Sequence, residues 1–432
     1  MKNISIWVVV FFAAATLPAN AAIYTVTTNA DSGAGSLREA ITAANASAGP
    51  HTINFDADYT INIVTVLPTI NVGTTITIEG NGWDRTIIDG GNPIANNAGV
   101  QAFIIEGSLT LDGVGIQNCY HALDGGAVKV EWGASFLFLN SRAEANTSGF
   151  YGGAVYSEGS VIVQDSLITG NQAYQGGGMY FNDAAIVEDT TVSANIATFS
   201  ATAQPSLGGG GITNRRGVLT VRRSLIQGNQ ADNGDGGGIQ TWSSAAQTTV
   251  ENSTFDGNTA TDGGAISCKY IGSASLVGVT VTGNSGSLGG GIYCPDAELE
   301  GSIVYRNSAA SGPDIWGAVE SLGYNLIGST TGATINGSTT GNLIGVDPLF
   351  GPLADNGGPT MTRALPVGSP AIDTGPPGCG GLTTDQRGYP RPSDGDSSGT
   401  DECDIGAYEY TTLIFGDGFE SGDTTRWSHT VP

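Results

Sequence analysis

Arg215, Arg216, Arg222 and Arg223 form the sole basic patch in a chain with 40 acidic and 15 basic residues and a net charge of -25. Guanidinium groups gathered this way could steer an acidic polysaccharide, or Asp and Glu on neighbouring turns could neutralise them. Tyr156, Tyr180 and Tyr293 suggest a second chemistry, because each directly follows an aliphatic residue that recurs along the chain. Facing outward from strands, they would form a stripe able to stack on sugar rings or a protein partner, or they would simply cover that face. Asp394, Asp396, Ser398, Gly399 and Glu402 fall on positions 1, 3, 5, 6 and 9 of a calcium loop. Position 12 of that loop is Ile405, where a bidentate acid belongs, so a solvated acidic turn competes with Ca²⁺ binding.

General acid–base catalysis has little to draw on. After Lys2 the only lysines are Lys129 and Lys269, and the histidines are His51, His121 and His429. Asp124, Lys129 and Glu131 cluster in sequence, and they read first as a turn with solvated outward charges. No CxxC or Cys-His spacing suits zinc. Catalytic residues therefore stay unassigned, no cofactor is required, and binding is easier to support than turnover.

The elements that must carry these side chains come from a repeat. A glycine pair followed by Gly or Ala and an aliphatic residue ends at Val128, Val155, Met179, Ile212, Ile239, Ile266 and Ile292, at spacings of 24 to 33 residues. In step with it, an aliphatic or aromatic residue stands three places before Asn171, Asn195, Asn229, Asn258, Asn284 and Asn307. Asparagine tolerates left-handed backbone, and its amides can hydrogen-bond up and down a column of equivalent turns. Short β-rich runs lie between the corners: Ser160 to Gln164, Val218 to Val221 and Leu276 to Val281. Coils of three short strands with Gly or Asn corners predict an all-β fold, a right-handed parallel β-helix of roughly eleven coils and roughly 50 Å, with N- and C-terminal caps.

Domain boundaries follow. Lys2, the apolar run Ile6 to Ala15 and the small-x-small site Ala19-Asn20-Ala21 predict a cleaved export signal over 1–22. A cap over 23–52 would place Leu37, Ala40, Ile41 and Ala44 on one helical face across the first coil. The rod would occupy 53–344, a Pro-rich cap 345–410, and a tail that could be a sorting signal 411–432. The interval before Ile212 holds an extra loop, Ala197 to Leu207, of the kind that often carries recognition. Cys268 and Cys294 stand at equivalent places one coil apart, as a disulfide or as stacked thiols, while Cys379 and Cys403 look like a staple on loop structure. Cys119 is left over. The acidic balance argues against nucleic acid and anionic membranes as partners. No segment of the mature chain is apolar enough to span a bilayer, and an extracellular monomer that meets a glycan or a surface protein is expected.

The segment YTVTTNADSGAGSLREAITAANASAGPHTINF, residues 24–55, resembles the N-terminal region of exported bacterial β-helix proteins known by the sequence CSLREA, with Gly35 where that signature has Cys. Residues 347–409, with DPLFGPLADNGGPTMTRALPVGSPAIDTG, TDQRGYPRP and CDIGAYE, resemble the choice-of-anchor region, type Q, of the same proteins. The GGAI and FxxN repeats are similar to those of the polymorphic outer-membrane adhesins, with Phe255 to Asn258 in the literal aromatic form. These resemblances imply an exported surface protein with no defined chemistry. The fold itself keeps a pectate-lyase-like polysaccharide lyase or glycoside hydrolase as the alternative.

Overall fold

The computed structural model describes residues 21–47, 49–91, 99–198 and 208–411. The export signal up to residue 20, the loop from 199 and the tail from 412 lie outside the described residues. The chain is a right-handed parallel β-helix. One of its sheets holds 12 strands, one per coil, in keeping with the expected number of turns.

A representative coil has four sides where three were expected. A glycine-led strand Ile212–Asn214 is followed by a long strand Gly217–Arg222, a third strand Leu225–Gln227 and a short fourth strand Gln230–Asp232. The next coil begins at Ile239–Thr241. The run Leu276 to Val281 shows why the count rises: a left-handed Gly278 splits it into Ser273–Val277 and Thr280–Thr282. Register is set by burial. Val155, Met179, Ile212, Ile239, Ile266 and Ile292 pair in sequence up the rod and all point into the core. A slip of one residue would turn each of them to the other face.

The asparagines occupy a buried column, but not with the left-handed backbone expected of them. In each case the preceding residue is left-handed: Gly170, Ala194, Gly228, Gly257, Gly283 and Arg306. The turn thus frees each asparagine to aim inward, where its Oδ1 accepts both the backbone N–H and the side-chain amide of the asparagine one coil earlier, as Asn258 does for Asn229 at 3.0 and 2.9 Å. Asn146 adds a rung, and Cys119 stands in the next place of the column, its N–H donating to Asn146 Oδ1. At the other end of the third strand a parallel column of hydroxyls does the same work. Ser166 N donates to Thr190 Oγ1, Thr190 N to Ser224 Oγ and Ser224 N to Ser253 Oγ. These side chains satisfy corner N–H groups that the strand ladders leave unpaired.

The two ends differ. The strand Ala22–Val26 pairs with Pro50–Phe55, so the sheet starts before the expected 53. Helix Leu37–Asn45, capped by Ser36, buries Leu37, Ala40, Ile41 and Ala44. Residues 345–410 run back along the third-strand flank. Ala407 N donates to Thr280 Oγ1, Thr254 Oγ1 to Gln386 Oε1, and Thr360 Oγ1 reaches the Arg223 carbonyl. Phe350, Leu365, Ala371 and Ile405 cover the outward Ile303 and Leu326 of that flank. The pairs Cys268–Cys294 and Cys379–Cys403 are both disulfides, and Cys119 is a buried free thiol.

Candidate functional site

With the third-strand flank covered, the glycine-led flank is the one that gathers aromatic and charged side chains. The glycine pair shapes it. Gly236 is left-handed with φ 70°, and a Cβ on Gly237 would collide with the carbonyl of Gly264 in the next coil. The chain turns sharply there, and coils stack closely enough for the residue before the pair to meet the middle residue of the glycine-led strand on the outer surface.

The expected tyrosine stripe is real as a column but broken as a surface. Tyr156 pairs with Tyr180, and Thr213, Gln240 and Ser267 then intervene before Tyr293. From Tyr156 to Tyr293 the five steps span about 24 Å at the strand spacing. Tyr156 and Tyr180 point outward yet are buried, because Tyr151, the residue before a glycine pair, lies over them. Its ring stacks on Tyr180 at 4.6 Å and 23° between planes, and Tyr156 stacks on Tyr180 at 5.7 Å. Burial, the larger cause, and the hydrogen bond donated to Glu158 at 2.7 Å push the Tyr156 hydroxyl well above its usual range. Burial also raises Tyr180, against the opposing charge of Arg215. Asn182 Nδ2 donates to the Tyr156 hydroxyl at 3.1 Å. These rings floor an open groove of about 610 Å³, walled by Trp132, which is 84% exposed, and by Arg215 and Arg216.

The basic patch does not hold together. Arg215 and Arg216 precede the long strand Gly217–Arg222, while Arg222 and Arg223 end it, so the pairs sit at opposite corners of the coil. Arg222 pairs with Glu251 at 2.8 Å, and Arg223 pairs with Glu188 and Asp189 at 2.8 and 2.6 Å. Arg215 instead lies over the Trp242 ring, 3.2 Å from its centroid. Lys129 pairs with Glu131 at 2.5 Å.

Further along the same flank, Lys269 Nζ reaches Asp262 at 2.6 Å and the fully buried Asp235 at 3.5 Å. Both carboxylates occupy the place before a glycine pair. Burial pushes Asp235 up to about 7, against the pull of Lys269. Burial opposes the charge on Lys269, but the bond to Asp262 and the two carboxylate charges outweigh it and raise the ammonium's pKa. A lysine held so firmly protonated is a poor general base.

The calcium loop is only partly assembled. Asp394 and Asp396 come together with Asp373, and Glu402 is not among them. Backbone N–H groups already occupy these carboxylates: Gly395 and Asp396 donate to Asp373, and Ser398 and Gly399 to Asp394. Ser398 thus serves the loop through its N–H. Sequence reasoning missed Tyr151, Asp235 and Asp262. The available signal was their shared place before a glycine pair, which only the coil geometry turns outward. Arg215 on Trp242 had no such signal, because the two residues sit a coil apart.

A repeat described as Chlamydia polymorphic membrane protein (Chlamydia_PMP) repeat matches residues 252–269, which contain one FxxN and one GGAI element. The crystal structure of pectate lyase Pel9A shares the fold, with a TM-score of 0.51 and 15% identity over 90% of this chain and 96% of that one. No curated protein matches the sequence. Among the described residues no helix is long and apolar enough to cross a membrane.

Proposed function

We propose that this chain is an exported β-helix protein that binds an extracellular glycan along its glycine-led flank without turning it over. The observation that carries the reading is the groove itself, a space of about 610 Å³ floored by stacked Tyr151, Tyr156 and Tyr180 and edged by Trp132. Its volume and its mix of rings with a few convergent polar groups suit a small-molecule or sugar site. The export pattern of the first residues, the two disulfides and the polymorphic-membrane-protein repeat support a place outside the cell. The CSLREA-like and choice-of-anchor-like regions fit a surface protein.

A lyase or hydrolase is the second reading, favoured by Lys269 between two carboxylates on a fold shared with a pectate lyase. The firmly protonated Lys269 and the sealed Asp235 count against it. The test is retention of a glycan panel on the purified mature chain, with unsaturated uronides and reducing ends measured in parallel. Retention that weakens about tenfold in Trp132→Ala or Tyr151→Ala, with no product, is the expected result. Product release that Lys269→Met abolishes would sink the binding reading.

A further inference from the structure

We infer that the ligand of the tyrosine groove carries an anionic group, a uronate carboxylate or a sugar sulfate, and that Arg215 and Arg216 receive it. This rests on the glycan-binding reading and specifies which glycans the groove takes.

The inference starts from how the cations are paired. Among the described residues, every lysine and arginine except Arg215 and Arg216 has a carboxylate within ion-pair distance. In a chain with 40 acidic and 15 basic residues, carboxylates are in large excess. Two adjacent guanidiniums left without one are therefore conspicuous, and both line the aromatic groove. Two acids, Glu158 and Asp183, also line that groove, and neither lies within ion-pair distance of either arginine. Glu158 accepts the Tyr156 hydroxyl at 2.7 Å, and Asp183 accepts the N–H of Ala184 at 2.8 Å.

Arg215 is also fixed in place. Its guanidinium lies over Trp242, 3.2 Å from the ring centroid, and a hydrogen bond to the Tyr180 hydroxyl ties it to the groove floor, so its place is set without any carboxylate. Arg216, beside it, is exposed. A planar fork held against an aromatic ring suits bidentate recognition of a carboxylate or sulfate. A sugar ring resting against Tyr151 and Trp132 would bring a ring substituent to the arginine wall of the same groove. The surrounding negative field disfavours any polyanion that lacks such a local contact, so the pair would confer selectivity as well as affinity.

The experiment titrates the mature chain with three polymers: a polyuronate, the same polymer with its carboxyls reduced to alcohols, and a sulfated galactan. The polyuronate or the sulfated galactan should bind at least about tenfold more tightly than the reduced polymer, since one charge-assisted contact is worth about that much. The arm that binds identifies the anion. Arg216→Gln, an exposed position, and Arg215→Gln should each bring the affinity for the charged polymer down most of the way to that for the reduced one. Arg222→Gln, at the far corner, should change nothing. Thermal melts of each variant separate lost binding from lost fold, and Arg216→Gln remains informative if Arg215→Gln disturbs Trp242. Equal binding of charged and reduced polymers, indifferent to both arginines, overturns the anion inference and leaves glycan binding standing. Failure to bind any of the three removes both readings.

Discussion

Asp314 closes the asparagine column by accepting, on one carboxylate oxygen, the backbone N–H of Asn307 at 3.0 Å and its side-chain amide at 2.9 Å. Every earlier rung presents an amide oxygen at this point, as Asn307 does for Asn284. The second oxygen of Asp314 accepts the N–H of Ser329 at 2.7 Å, so one buried side chain joins the column to the last coils. Burial raises its pKa against these three donors.

Removing that terminus should loosen the C-terminal coils first. Asp314→Ala leaves three buried donors without an acceptor and is expected to cost about 3 kcal/mol, while Asp314→Asn keeps one amide oxygen and should cost less. Denaturant melts compare the two. Equal losses would show that Asp314 acts through packing alone.

Asp235 gives the rod a pH dependence whose sign is fixed. Its carboxyl rises to about 7 in the fold, against about 3.9 in an unfolded chain. The folded state binds this proton more tightly, so the contribution to stability is fullest below pH 4 and is lost as pH rises through 7, at about 1.4 kcal/mol per unit between. Asp235→Asn should therefore leave stability at pH 4 nearly unchanged and raise it at pH 8, Lys269 keeping Asp262 as partner. Melting temperatures of both proteins across that range check it, and parallel curves would refute it.

The strap along the third-strand flank depends on Gln386. This fully buried side chain accepts from Thr254 at 2.6 Å and donates to Thr360 at 2.9 Å and to the Met361 carbonyl at 3.1 Å. Gln386→Ala strands these buried partners, at a cost of about 2 kcal/mol. Limited proteolysis should then cut within 345–410 sooner than in the wild type and leave the rod intact. Cleavage spreading through the coils at the same rate would mean strap and rod unfold as one unit.

The Cys268–Cys294 bond closes a loop of 26 residues within stacked coils. Replacing both with Ala should lower stability by about 3 kcal/mol, with glycan retention preserved below the melt. A variant as stable as the wild type would show that coil stacking alone holds this region.

Chelation is expected to leave glycan retention unchanged, because the groove is built from rings and arginines and the Asp373, Asp394 and Asp396 carboxylates are held by backbone N–H groups. Retention lost in EDTA and restored by Ca²⁺ would place a metal in the binding event.

By itself the sequence determined the repeat. Glycine pairs, inward aliphatics and buried asparagines recur because each coil must meet the same backbone corner and the same core, so their period is written in residue types and marks a parallel β-helix. Cys268 and Cys294 were legible as neighbours for the same reason, although the repeat did not say whether they were bonded. What the tertiary structure decided depends on adjacent coils and on direction. Tyr156 and Tyr180 became a covered floor because Tyr151, from a turn, lies over them. The four arginines separated because one pair precedes the strand Gly217–Arg222 and the other ends it, and the pairs then met different neighbours: carboxylates for Arg222 and Arg223, Trp242 for Arg215. Side chains from different coils share a face only once the stacking register is set, and no single stretch of chain contains that information.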